Sequence, residues 1–243
     1  MPTGAGFFPC VPAGISWRDD MDWSPLWNSI RIATISSVTV FFFGIFLAYY
    51  VARLPPVLKG MLDVILTLPL VLPPTVCGWF LLLIFGLRHP VGRLLKQIGM
   101  QFVMTWYGGV LAASVVAFPL MYRTARGAFE SFDETLGWSG KTLGLSNTFI
   151  FWRIRMPACR QGILAGAVLS FARALGEYGA TTMLIGYIPG KTATISTTVY
   201  QLWRTNDDAG AFIWVLINLA ISTVVLIAVN LLERGYSPER RAG

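Results

Sequence analysis

The chain has 243 residues, of which 55% are hydrophobic and only 13% charged, and its mean hydropathy is +0.61. A soluble domain carries about 25% charged residues to stay in water, so an ordinary soluble enzyme or adaptor is excluded and lipid is the solvent for most of the chain. The formal charge of +7 collects where apolar runs end, which reads as membrane topology and not as nucleic-acid binding.

Residues 1–28 read as a loose external tail rich in Gly, Pro and Asp, with an interfacial segment around Trp17 and Trp23. No basic stretch precedes an apolar one there, so a cleaved signal peptide is not expected. Five segments meet or approach the roughly 20 apolar residues that a crossing helix needs: 29–51, 61–85, 106–121, 162–185 and 210–232. The fold expected is an all-α membrane protein of about five transmembrane helices. The second segment holds Pro69, Pro73 and Pro74, and a membrane helix tolerates such breaks only where protein or a water-lined cavity satisfies the freed backbone. A kinked helix facing protein or a pore is the reading.

Eleven basic residues fall on one side of this arrangement and seven on the other. The richer side is cytoplasmic by the positive-inside rule, which puts the N-terminus outside and residues 233–243 inside as a C-terminal tail. The longest cytoplasmic segment is then 122–161, and a connection of that length is usually functional. Its middle has helix-forming stretches on either side of Gly144, with Phe149, Phe151 and Trp152 close together. It reads either as a compact knob of two short helices or as an amphipathic hairpin resting on the bilayer.

The fourth segment carries the outlying charges. Arg173 falls about 16 Å into it at 1.5 Å per residue, where a charge costs roughly 2.5–3.5 kcal/mol even on the gentler insertion scale. Glu177 follows four residues later on the same helix face and can neutralise it. Two readings stay open: an ion pair holding helices together, or a face lining a route for an oxyanion, with Arg173 and the hydroxyls of Thr181 and Thr182 assisting. The loop 188–208 holds Lys191 and several Thr residues and is expected to be solvated, with anion contact or partner docking as the alternative.

Catalytic constellations are missing from the sequence. His89 is the only histidine, so a histidine triad or a two-histidine metal site cannot be built from one chain. No GxxxxGK[ST] loop occurs, so the chain is not expected to hydrolyse nucleotide. Cys10, Cys77 and Cys159 have no metal-ligand spacing, and no two of them share a water-facing side, so neither a zinc site nor a disulfide is expected. A single set of five spans without an internal repeat points to a working unit completed by symmetry.

Four stretches carry a family resemblance. Gly144, nine residues, then Ile154-Arg-Met-Pro157 resembles the coupling loop of ABC importer permeases, whose pattern is Glu-Ala-Ala, three residues, Gly, nine residues, Ile-x-Leu-Pro. Trp138, Ser139 and Gly140 stand at the Glu-Ala-Ala positions, and Met156 replaces the leucine. Leu68-Pro-Leu-Val-Leu-Pro-Pro-Thr75 and Phe171-Ala-Arg-Ala-Leu-Gly-Glu-Tyr-Gly-Ala180 resemble the molybdate and sulfate permeases of the type I class. Ile188-Pro-Gly-Lys-Thr-Ala-Thr-Ile195 is more similar to the molybdate branch.

The resemblance implies a non-catalytic pore subunit of the bacterial inner membrane that moves molybdate or tungstate, with sulfate or thiosulfate as the alternative and an ion-coupled transporter as a further one. It implies two copies forming the pore, two ATPase subunits that use ATP and Mg²⁺, and a periplasmic molybdate-binding protein, with no cofactor held by this chain. Trp138, Ser139, Gly140, Leu143, Gly144, Leu145, Phe149, Ile154 and Pro157 would then form the coupling loop. Arg173, Glu177, Thr181, Thr182, Pro73 and Pro74 would line the pathway or its gate.

Overall fold

The computed structural model describes residues 22–234, with side chains to residue 227; Cys10, Trp17 and most of both expected tails lie outside the described residues. Among the described residues all regular structure is helical. α1 (Ser24–Val51) starts with Pro25 in its first turn, where a missing N–H costs nothing. Its buried residues Ser29, Ala33, Ser36, Val40, Gly44 and Ala48 recur every three or four positions, making one narrow stripe. α5 (Trp106–Glu130) presents a matching stripe of Gly108, Gly109, Ala112, Ala113, Val116 and Ala117. Small faces let two membrane helices approach closely: a Cβ on Gly109 would lie 2.7 Å from Ile32 Cδ1, and one on Gly44 2.7 Å from Met121 Cγ. The Ser36 hydroxyl donates to the Val110 carbonyl across this seam at 3.0 Å.

α9 (Arg160–Leu175) completes the central trio by packing on α5 and α1. A Cβ on Gly162 would meet Ala128 Cβ at 2.6 Å, so the same small-residue rule governs this contact.

The second expected span is two helices, α2 (Pro56–Val71) and α3 (Pro74–Phe85), bent by 111°. Leu72 and Pro73 each precede a proline, which pushes a residue out of the helical region, and both are extended, with ψ of 141° and 135°. α4 (Pro90–Gln97) follows, with the half-buried His89 just before its first turn. The third span runs well past the expected residue 121, because Pro119 does not stop α5 and the following Tyr122, Ala125 and Phe129 remain buried.

The fourth expected span is also interrupted. α9 ends at Leu175, and α10 (Gly179–Ile185) begins after Gly176, Glu177 and Tyr178. α1, α5 and Asp208–Ile227 of α12 (Asp208–Arg234) are each long and apolar enough to cross a bilayer, and the bent α2–α3 pair makes a fourth candidate.

The loop expected at 188–208 is largely α11 (Ile195–Arg204), started by a capping box of Thr194 and Thr197. Thr192, Thr194, Thr197 and Thr198 are buried, not solvated. Asn28 donates to the carbonyls of Lys191 and Ala193, and Ser29 Oγ accepts from the Ile195 N–H at 2.9 Å. The Asn28 amide and the Ser29 hydroxyl thus tie the segment to α1.

Candidate functional site

Two interrupted helices cross at their interruptions. Gly179, the first residue of α10, faces the start of α3, where a Cβ would lie 2.9 Å from Pro74 Cβ and 3.1 Å from Thr75 N. One turn further along α3, a Cβ on Gly78 would lie 2.8 Å from both Ala180 Cα and Met183 Cβ. Pro73 and Pro74 therefore form the edge of this crossing, with Pro73 exposed. Cys77 is buried within it as a free thiol, and Cys159 is a free buried thiol elsewhere.

Arg173 and Glu177 pair at the end of α9, with Nη1 2.6 Å from Oε2. The chain leaves the helix between them, so they meet across a helix terminus and not along a continuous face. Glu177 Oε1 accepts from the Ala180 N–H at 2.7 Å, capping α10. The Glu177 side chain is 1% exposed and that of Arg173 29% exposed. The cation is the accessible member of the pair. Thr181 is buried and Thr182 half-buried in α10. Beside this junction Tyr178, Tyr200 and Trp203 form an aromatic wall with ring separations of 5.3 and 5.8 Å. The wall borders a cavity of about 430 Å³ that also touches Asn218. Nothing in the spacing of these aromatics marked them beforehand, because Tyr178 lies between α9 and α10 while Tyr200 and Trp203 share α11.

The segment after α5 is a helical hairpin. Its first limb is α6 (Glu134–Thr142); its second is α7 (Asn147–Ile150), a π-helical turn (Phe151–Arg155) and α8 (Met156–Ala158). Asp133 accepts from the Thr135 N–H at 2.9 Å to cap α6. Hydrogen bonds from Thr135 hold the Asp133 carboxyl below its ordinary range. Gly144 turns the chain with φ of +74°, a conformation costly for residues with a Cβ. Ser146 Oγ then accepts from the Phe149 N–H to start α7.

The limbs close because Gly140 lacks a side chain: a Cβ there would lie 3.1 Å from Ile150 Cγ1 and 3.3 Å from Ile154 Cδ1. Arg155 clamps them, its Nη2 donating to both Glu134 oxygens at 2.6 and 2.7 Å. Arg155 is buried, with its guanidinium 4.5 Å above the Phe132 ring. The motif residues thus divide. Gly140 and Ile154 face inward, Leu145 is half-buried, and Trp138, Leu143 and Phe149 are exposed by 63%, 78% and 46%. Ser139 and Pro157 are also exposed, and the Ser139 hydroxyl donates back to the Thr135 carbonyl. The Glu134–Arg155 clamp was missed in the sequence, since 21 residues separate its members.

The molybdenum transport system permease protein ModB of Escherichia coli K12 is 39% identical over 217 residues, covering 88% of this chain and 95% of that protein. A probable sulfate transport system permease protein, cysT of Chlorokybus atmophyticus, is 31% identical over 192 residues, covering 79% and 67%. In three dimensions the chain is similar to one in a bacterial alginate ABC transporter in complex with an alginate pentasaccharide-bound periplasmic protein. The TM-score is 0.72 at 17% identity, with 90% of this chain and 81% of the other covered. The family described as binding-protein-dependent transport system inner membrane component matches residues 41–238. The chain belongs to that family and is an ABC importer permease.

Proposed function

We propose that this chain is the pore-forming subunit of an importer that carries molybdate or tungstate across the bacterial inner membrane. The observation that carries the substrate is the end-to-end similarity to molybdenum permeases. The working unit has two copies of this chain and two ATPase subunits, which use ATP and Mg²⁺. A periplasmic protein delivers the anion to the outer face. ATP hydrolysis belongs to the partner.

The hairpin is the coupling element in this reading. Trp138, Leu143 and Phe149 are large apolar side chains left open on a polar face, and residues of that kind serve as anchors in a partner's pocket. The Glu134–Arg155 clamp and the Gly140 contact make the hairpin stiff, so displacement of its tip moves α5 and α9 together. On the pathway side, Arg173 is the accessible cation, neutralised at rest by Glu177. A tetrahedral dianion takes hydrogen bonds from such a guanidinium readily. Thr181, Thr182, Pro73 and Pro74 surround the same junction, where interrupted backbone is tolerated against protein or water.

The test is ATP-driven uptake of labelled molybdate into vesicles holding this chain, its ATPase and its binding protein. Excess sulfate is the competitor and Gly144→Val the control. Uptake that resists sulfate and collapses in the variant is the expected result. The similarity to a sulfate permease favours a second reading, which equal competition by sulfate would establish. Uptake that persists without the ATPase sinks both.

A further inference from the structure

A recess of about 740 Å³ lies between the C-terminal end of α1 and the hairpin, bordered by Tyr49, Tyr50, Arg53, Lys141 and Asn147. A second, of about 490 Å³, runs from it along α1 past Phe42, Phe43, Phe46, Trp152 and Met156. Both include Phe46 and Phe151, so they form one slot, polar at one end and apolar at the other.

The polar end carries uncompensated positive charge. Arg53 and Lys141 are exposed, and neither forms an ion pair among the described residues. The acidic residue in the wall, Glu134, is neutralised by the two hydrogen bonds from Arg155. The Arg53 guanidinium sits 4.0 Å above the Tyr49 ring, which holds it at the mouth of the recess. From Arg53 back to Phe42 is eleven residues, about 16 Å of helix, running from the end of a membrane helix towards its middle. Cations at the helix end and an apolar channel towards the bilayer centre match the order in which a phospholipid presents its phosphate and its acyl chain.

We propose that this slot binds an anionic phospholipid, with the phosphate on Arg53 and Lys141 and one acyl chain along Phe42, Phe46 and Trp152. A free anion would leave the apolar half unfilled. A peptide would bring backbone N–H and C=O groups into a channel that has no partners for them. The bound lipid touches Phe151 and Trp152 of the second hairpin limb and braces it against α1. The inference requires a membrane-embedded chain and is independent of which anion is carried.

Native mass spectrometry of the detergent-purified transporter, titrated with phosphatidylglycerol and separately with phosphatidylcholine, tests it. The wild type is expected to retain phosphatidylglycerol preferentially. Arg53→Gln with Lys141→Gln should weaken that retention by on the order of tenfold. Lys141→Gln alone, at an exposed side chain that leaves folding intact, should lose part of it. Equal retention by the double variant, or no preference between the two lipids, overturns the proposal. So does binding of inorganic phosphate to the same residues at comparable affinity, which would make the recess a free-anion site. Loss of the lipid whenever the ATPase is bound would make it a protein interface and is equally fatal.

Discussion

At Glu177 one carboxylate serves two partners, facing Arg173 through Oε2 and accepting from the Ala180 N–H through Oε1. Removing it leaves a membrane-embedded guanidinium unpaired and α10 uncapped together. Orphaning a fully buried charge costs about 3 kcal/mol or more and a partly exposed guanidinium less, so Glu177→Ala should lower the thermal unfolding midpoint of the purified transporter. Glu177→Gln keeps the acceptor for Ala180 and should fall between that variant and the wild type. A midpoint for Glu177→Ala equal to the wild type would show that Arg173 finds another partner. Gly144 poses a simpler question, because a Cβ there meets nothing within 4 Å and only its φ of +74° resists substitution. Gly144→Ala should cost about 1 kcal/mol, and Gly144→Asn less, since Asn tolerates the left-handed region. Uptake retained better by Asn than by Ala would identify backbone shape as the requirement.

At the scale of elements, the α3–α10 crossing depends on absent side chains. Gly78→Val drives a branched side chain into the backbone of Ala180, and overpacking of this kind costs roughly 1–3 kcal/mol. The expected outcome is reduced yield of folded transporter, with Gly127→Val, in open space, as the harmless comparison. The α6 cap gives a pH prediction. The Asp133 carboxyl titrates below its ordinary value because the folded state donates hydrogen bonds from Thr135 to it. Its contribution is therefore present above the ordinary carboxylate value and fades only as pH falls through the lowered one. Amide exchange at Thr135 should stay protected from pH 7 to 5, and Asp133→Ala should remove that protection at every pH.

The long apolar runs made α1, α5 and α12 legible in the sequence, and the spacing around Gly144 announced the hairpin. The split in the fourth segment was not legible, because Gly176-Glu177-Tyr178 contains no proline and its apolar flanks read straight through. The threonines of 192–198 misled for a related reason: a hydroxyl facing a capping box has the same composition as one facing water.

For the whole molecule, α2 is the unfinished surface. It buries no residue within one copy and is held at one end by charges: Asp63 accepts from Tyr122 at 2.9 Å and pairs with Arg126 at 2.6 Å, while Lys59 pairs with Glu130. Backbone interrupted at Leu72–Pro73 must be covered by protein or water inside a membrane, and α10 covers one side of it. A second copy covers the other in the proposed assembly. Ile65→Cys, 63% exposed in one copy, should form a disulfide-linked dimer in membranes when Cys10 is replaced, since Cys77 and Cys159 are buried. Monomer alone under oxidation would argue against α2 as the axis.

The two interruptions also set an electrical thickness. α3 has 12 residues and α10 has 7, which is about 18 and 10 Å of helix, against a hydrocarbon layer of about 30 Å. Neither piece spans that layer, and polar backbone is present where each one starts. If the proposed route runs through this junction, the insulating part of its barrier is only as deep as the shorter helix. In the proposed pathway a dianion would meet its self-energy penalty over about 10 Å, so modest movements of α10 would open or shut the route to charge.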